Sequence, residues 1–116
     1  MIRIRIAAVE IRNCGPWLGA WRLEIPDAPI AVLCRPNEQG KSTLLAAVPA
    51  VFWGEGSPAK NWFAADQEYA AAVEFERELH DPSGRLLSKS SYRAVRHFET
   101  DRVSLAELRD GAWQTV

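Results

Sequence analysis

The stretch Pro29-Ile30-Ala31-Val32-Leu33-Cys34-Arg35-Pro36-Asn37-Glu38-Gln39-Gly40-Lys41-Ser42-Thr43 decides how the chain is read. Its first six residues form a continuous apolar run, the pattern of a parallel strand covered on both faces. Gly40, Lys41 and Ser42 fit the pattern G-x-x-x-x-G-K-[ST], with Arg35 standing where the first Gly belongs. In such a loop successive backbone N–H groups form a nest around phosphates, the Lys reaches the β/γ oxygens and the hydroxyl holds Mg²⁺. From Lys41 to Trp53 the chain is rich in Leu and Ala, which predicts a helix whose positive end faces the phosphates. Strand, loop and helix follow one another in the order this mechanism needs, so the expected class is α/β. The plainer alternative is a solvated turn in which Lys41 merely caps a helix.

Outward from this stretch, the N-terminal segment alternates Ile2, Ile4 and Ile6 with Arg3 and Arg5, the period of a strand with one covered face. The apolar set then changes phase to Val9 and Ile11, and one extra residue near Ala7-Ala8, a β-bulge, reconciles the two registers. Asn13-Cys14-Gly15-Pro16 breaks the strand, and Trp21, Leu23 and Ile25 alternate with Arg22 and Glu24 in a second one. Pro26 to Pro29 turns the chain into the apolar run. On the other side, Pro49 inside the helix removes a hydrogen bond to Leu45 and predicts a kink or an early loosening. Gly54 to Pro58 ends the helix.

Trp53, Trp62 and Phe63 flank the following loop and suit core or lid packing better than base stacking. Tyr69 to His80 has helix-compatible composition, yet Tyr69, Ala71, Val73 and Phe75 alternate with Ala70, Ala72, Glu74 and Glu76, which predicts a strand. Asp81-Pro82-Ser83-Gly84 is a turn, Arg85 to Phe98 the returning arm, and Thr100-Asp101 a further reversal. Val103 to Arg109 and Ala112 to Val116, joined by Asp110-Gly111, form a hairpin with a type I′ signal. Glu74, Glu76 and Arg77 are read as a solvated face.

The chain has 116 residues, a net charge of −1, 47% apolar and 25% charged residues. That is room for one domain at most, of ordinary globular composition, and the charge gives no whole-domain case for nucleic acid. No apolar run has the length of a membrane span, and Arg3 and Arg5 interrupt any signal peptide, so the expected location is cytoplasmic, with no membrane. Cys14 and Cys34 lack metal or redox spacing and are expected reduced; His80 and His97 are isolated.

Three matches give the chain a family resemblance. Ile6-x-x-Val9-x-Ile11-x-Asn13, the loop Pro36-Asn37-Glu38-Gln39-Gly40-Lys41-Ser42-Thr43, and Tyr92-Arg93-Ala94-Val95-Arg96-His97-Phe98 resemble the first strand, the P-N-E-x-G-K-S-T loop and the antiparallel lobe of SMC, RecN, RecF and SbcC-like DNA-repair ATPases. The resemblance implies an α/β P-loop NTPase fold: the N-terminal lobe of an ABC-type ATPase head, with a mixed, largely antiparallel sheet around one P-loop helix. Residues 1–54 would hold strands, P-loop and helix, 55–66 a loop, and 67–116 antiparallel hairpins, together a single partial domain. It implies ATP and Mg²⁺ as ligands, held by Arg35, Pro36, Asn37, Glu38, Gln39, Gly40, Lys41, Ser42 and Thr43, with Arg12 and Asn13 from the first strand. Lys41 is then the catalytic cation, Ser42 the Mg²⁺ ligand, and Thr43 reaches the α-phosphate.

The implied partners are a C-terminal half carrying the catalytic Glu, signature loop and Gln switch, a second ATPase head sandwiching ATP, and DNA. Gln67 is too early and isolated to be that switch, and Ala70-Ala71-Ala72-Val73-Glu74 lacks the Asp-Glu pair of the acidic strand. Cys14 replaces the usual Phe, Gly15 stands where many relatives carry Arg, and Arg35 is expected beside the β/γ-phosphates. The isolated chain is accordingly expected to bind nucleotide better than it turns it over. The competing reading is a non-catalytic interaction module with a degenerate P-loop.

Overall fold

The sheet begins with Ile2–Arg12 (β1), whose alternating Ile and Arg residues put apolar side chains on one face and charges on the other. A computed structural model describes residues 1–15, 18–26, 41–54 and 68–116, and within the helix it leaves aside the side chains of Lys41, Ser42 and Leu44. Ala20–Glu24 (β2), the helix Lys41–Trp53 (α1), Ala70–His80 (β3), Leu86–His97 (β4), Arg102–Arg109 (β5) and Ala112–Thr115 (β6) follow. The strands form one sheet in the order β2-β1-β3-β4-β5-β6. Every pairing is antiparallel.

This overturns the expected α/β class with a mixed sheet around a central P-loop helix. Among the described residues there is no parallel pair, strand outweighs helix, and the single helix lies on one face of an antiparallel sheet. The cause is the length of the connections. Short turns after β3, β4 and β5 can only return the chain antiparallel, because a parallel neighbour needs a crossover of a dozen or more residues. The apolar run Pro29–Cys34, expected as a parallel strand, and the loop residues Arg35 to Gly40 lie outside the described residues, as do Trp62, Phe63 and Gln67.

β1 shifts register between Ile6 and Ala8, where the phase change of its apolar residues predicts a bulge. Because of that extra residue, Ile6, Val9 and Ile11 face the same side, opposite Phe75, Val73 and Ala71 of β3. α1 packs over this side. The core joins Val9, Ile11 and Cys14 to Ala71, Val73 and Ala94 of the sheet and Ala47 and Val51 of the helix, all buried. Alanines at the contact let the helix backbone sit close, and Phe52 reaches edge-on to Phe75 with ring centres 5.6 Å apart.

α1 continues past Pro49 to Trp53. Its end is built from two elements. Gly54 takes the left-handed conformation (φ 71) that terminates helices, and its N–H donates to Ala50 O at 2.8 Å. From β4, the buried Arg96 donates its Nε–H to Val51 O at 3.0 Å and its Nη1–H to Asp101 at 2.7 Å. A cation at the helix C-terminus meets the negative end of the macrodipole. The Asp110-Gly111 turn has positive φ at both residues, 54 and 79, as a type I′ hairpin requires.

A Cβ added at Gly54 would lie 3.3 Å from Arg96 Nη1 at a φ that L-residues rarely adopt. Gly54→Ala should therefore lower stability by about 1–3 kcal/mol. In urea unfolding this appears as a lower midpoint at unchanged slope.

Candidate functional site

The first turn of α1 packs directly on the end of β1. A Cβ at Gly15 would come within 2.8 Å of Thr43 Oγ1, so glycine at 15, at φ 53, is what lets the two segments meet. Lys41 and Ser42 are the first two helical residues, and Thr43 is half-buried. The structure thus brings Thr43 beside the Asn13–Gly15 turn that also follows Arg12, while Arg35, Pro36, Asn37, Glu38, Gln39 and Gly40 lie outside the described residues.

Asn13 is buried at φ 56, a left-handed position that Asn tolerates better than most residues. Its Oδ1 accepts from Gly19 N–H at 2.7 Å, and its Nδ2 donates to Glu68 O at 2.5 Å. Its own N–H donates to Gly19 O at 3.0 Å. In this structure the side chain therefore ties the β1–β2 connection to the start of β3. Beside it the Cys14 thiol is buried, 3.4 Å from Arg12 O and 3.5 Å from Ala70 O, and burial pushes it up to about 11.

Arg12 turns to the sheet face away from α1. Its Nη1 donates to Glu68 at 2.6 Å and its Nε to Glu10 at 3.0 Å. These residues edge a shallow trough of about 210 Å³ that the sequence reading missed. Its floor is Ala70 and Ala72; Glu10 and Arg12 wall it on β1, and Val95 and His97 on β4, with Glu68, Arg93 and Ser104 around them. Two methyl side chains between rows of long ones create the hollow. The signal was present in the sequence as Ala at alternate positions beside charged strands.

The charges of this face are matched in pairs. Arg93 donates to Glu74 at 2.7 Å and to Glu10 at 3.2 Å; Arg22 forms a bidentate pair with Glu74; Glu76 receives Arg5 at 2.5 Å and Lys89 at 2.7 Å. The Arg22 hydrogen bond, with Arg93 adding to it, holds the Glu74 carboxyl below its ordinary 4.5, and Lys89 and then Arg5 do the same for Glu76. His97 Nδ1 stands 3.4 Å from Glu68. His80 lies at the opposite end of β3, so the two histidines share no site. Among the described residues no helix is long and apolar enough to cross a membrane.

Compared with known proteins, the chain matches no family model, no curated protein and no solved structure.

Two outcomes follow from this geometry. Asn13→Ala removes the two part-buried hydrogen bonds to Gly19 N–H and Glu68 O and should cost about 1 kcal/mol in urea unfolding, with or without nucleotide present. Glu74 and Glu76 have depressed folded values, so their contribution is complete above the unfolded value near 4.5 and is lost as pH falls through the lower folded value. The unfolding midpoint should drop as the solution is acidified below that point. Glu74→Gln should flatten the drop and cost about 1 kcal/mol at neutral pH.

Proposed function

We propose that the chain is the nucleotide-binding half of an ATP-hydrolysing protein similar to SMC, RecN and SbcC-like ATPases, working in the cytoplasm in DNA repair or chromosome maintenance. The observation that carries this reading is the run Asn37-Glu38-Gln39-Gly40-Lys41-Ser42-Thr43 leading into a helix that starts at Lys41. The helix carries no acidic residue in its first turn, so no carboxylate of that turn would compete with an anionic ligand at the helix N-terminus. ATP with Mg²⁺ is the ligand this chemistry suits. Amides of Asn37 to Lys41 would bind the phosphate oxygens, Lys41 would balance β/γ charge, Ser42 would ligate Mg²⁺ and Thr43 would reach the α-phosphate.

A partner belongs to the same reading. From Leu44 to Trp53 the helix has no polar side chain, and a helix apolar all round is normally enclosed on all sides. Yet Leu45 is 60% and Trp53 70% exposed, with Val103 and Leu105 also exposed on β5, beside β4 in the sheet. A C-terminal half that supplies the water-orienting carboxylate would cover apolar surface of this kind and complete the site. A second head and DNA would join the assembled form.

Titrating residues 1–116 with Mg-ATP should give weak, saturable binding and essentially no hydrolysis, because transition-state stabilisation by Lys41 counts only when the attacking water is also placed. Lys41→Ala should abolish the binding while leaving the circular dichroism spectrum unchanged. Equal affinity in the variant would remove the phosphate-loop reading and leave the interaction module with a degenerate loop.

A further inference from the structure

β6 ends the sheet on one side, and no residue in it guards that edge. Val116 N–H donates to Leu105 O at 2.9 Å, which turns the backbone of Val116, and by alternation that of Gln114 and Ala112, toward β5. The N–H and C=O groups of Trp113 and Thr115 therefore point outward, where no described strand meets them. Sheet edges are commonly blunted by charge, Pro or a bulge. The opposite edge, β2, carries Arg22 and Glu24. Ala112-Trp113-Gln114-Thr115-Val116 has no charge and no Pro, keeps its register with β5, and is exposed throughout.

We propose that β6 pairs antiparallel with β6 of a second copy of this chain, about a two-fold axis at Gln114. The outward groups set this register. Trp113 of one copy then lies opposite Thr115 of the other, and each such pair exchanges N–H···O bonds in both directions. Gln114 meets its own copy across the axis in the closer, non-hydrogen-bonded kind of pair; a primary amide both donates and accepts, so the two amides satisfy one another. Leu105 is paired with the core residue Ala94, which puts Leu108 and its cross-strand partner Trp113 on the face away from α1. Trp113 and Leu108 are 40% and 42% exposed, and in the pair the two Trp113 rings become diagonal neighbours across the seam.

A second copy is the occupant because this strand is its own complement. Uncharged residues meet uncharged residues at every position, and a net charge of −1 per chain opposes the approach of two copies only slightly. A partner strand bearing charges would find no counter-charge on β6. α1 packs against β1, β3 and β4, clear of this edge, and the pairing uses neither the phosphate-loop residues nor a nucleotide.

The test is sedimentation equilibrium of residues 1–116 without nucleotide, in a concentration series up to about 1 mM because one short strand pair makes a small interface. The weight-average mass should rise from that of one chain toward that of two. Thr115→Pro removes an outward N–H and no bond to β5, so it should hold the mass at one chain with an unchanged circular dichroism spectrum. Gln114→Lys and Gln114→Glu each bring like charges together on the axis and should weaken association about ten-fold or more, and an equimolar mixture of the two should recover it. The idea fails if the unaltered chain stays at the mass of one chain throughout, if Thr115→Pro associates as well as the unaltered chain, or if the mixture is no tighter than either Gln114 variant alone.

Discussion

Strand β3 has two incompatible faces, and the structure is arranged so that each meets its own kind. Residues 71, 73 and 75 are Ala, Val and Phe; residues 74, 76 and 78 are Glu. A one-residue slip would send three carboxylates under α1 and three apolar side chains into the ion pairs, so the register is fixed by burial on one side and charge on the other. The flanking strands complete the pattern, with Arg5 and Arg22 reaching from β1 and β2, and Lys89 and Arg93 from β4. β1 can serve both faces along its whole length only because of the extra residue at Ala7, which returns Val9 and Ile11 to the core after Ile6.

The same pairing bears on what the open face can do. Its arginines and glutamates cancel locally: Glu10 and Glu74 bind Arg12, Arg22 and Arg93, while Glu76 binds Arg5 and Lys89. A surface that recruits a polyanion keeps cations free to release the counterions of the phosphates. Here those cations would first have to leave carboxylates at hydrogen-bond distance. DNA, in the proposed assembly, is therefore better served by surfaces contributed elsewhere than by this face, and the trough over Ala70 and Ala72 is filled with matched charge rather than with an unmet demand.

Local features of the sequence were legible because their causes are local. The phase change from Ile6 to Val9, the Asp110-Gly111 turn and the glycine after Trp53 each reflect a backbone geometry that few residues allow, and each is found. The class of the sheet was misjudged because an apolar run before Lys41 speaks for one connection, whereas strand direction is set by all of them. The short turns at Asp81–Gly84 and Asp110-Gly111 return the chain antiparallel whatever the loop before Lys41 suggests. Arg96 and Asn13 acquire their roles only in three dimensions. One closes a helix 45 residues earlier in the chain, the other holds a strand 55 residues later, and neither separation leaves a trace in local periodicity.

The two ends of α1 are treated differently, and that asymmetry links fold to proposed function. At the C-terminus the protein satisfies the helix itself: Gly54 turns the chain and Arg96 brings a hydrogen-bonded cation to Val51 O. At the N-terminus the first turn carries no acidic residue, and Thr43 lies against Gly15, which lets the end of β1 approach. A helix needing only stability gains by an acidic residue in its first turn, worth a few tenths to about 1 kcal/mol. Here that gain is forgone at the positive end while the negative end is neutralised from within. In the proposed reading the counterpart is an anion supplied from outside, and the sequence Gly40-Lys41-Ser42 would give that anion the chemistry of a phosphate.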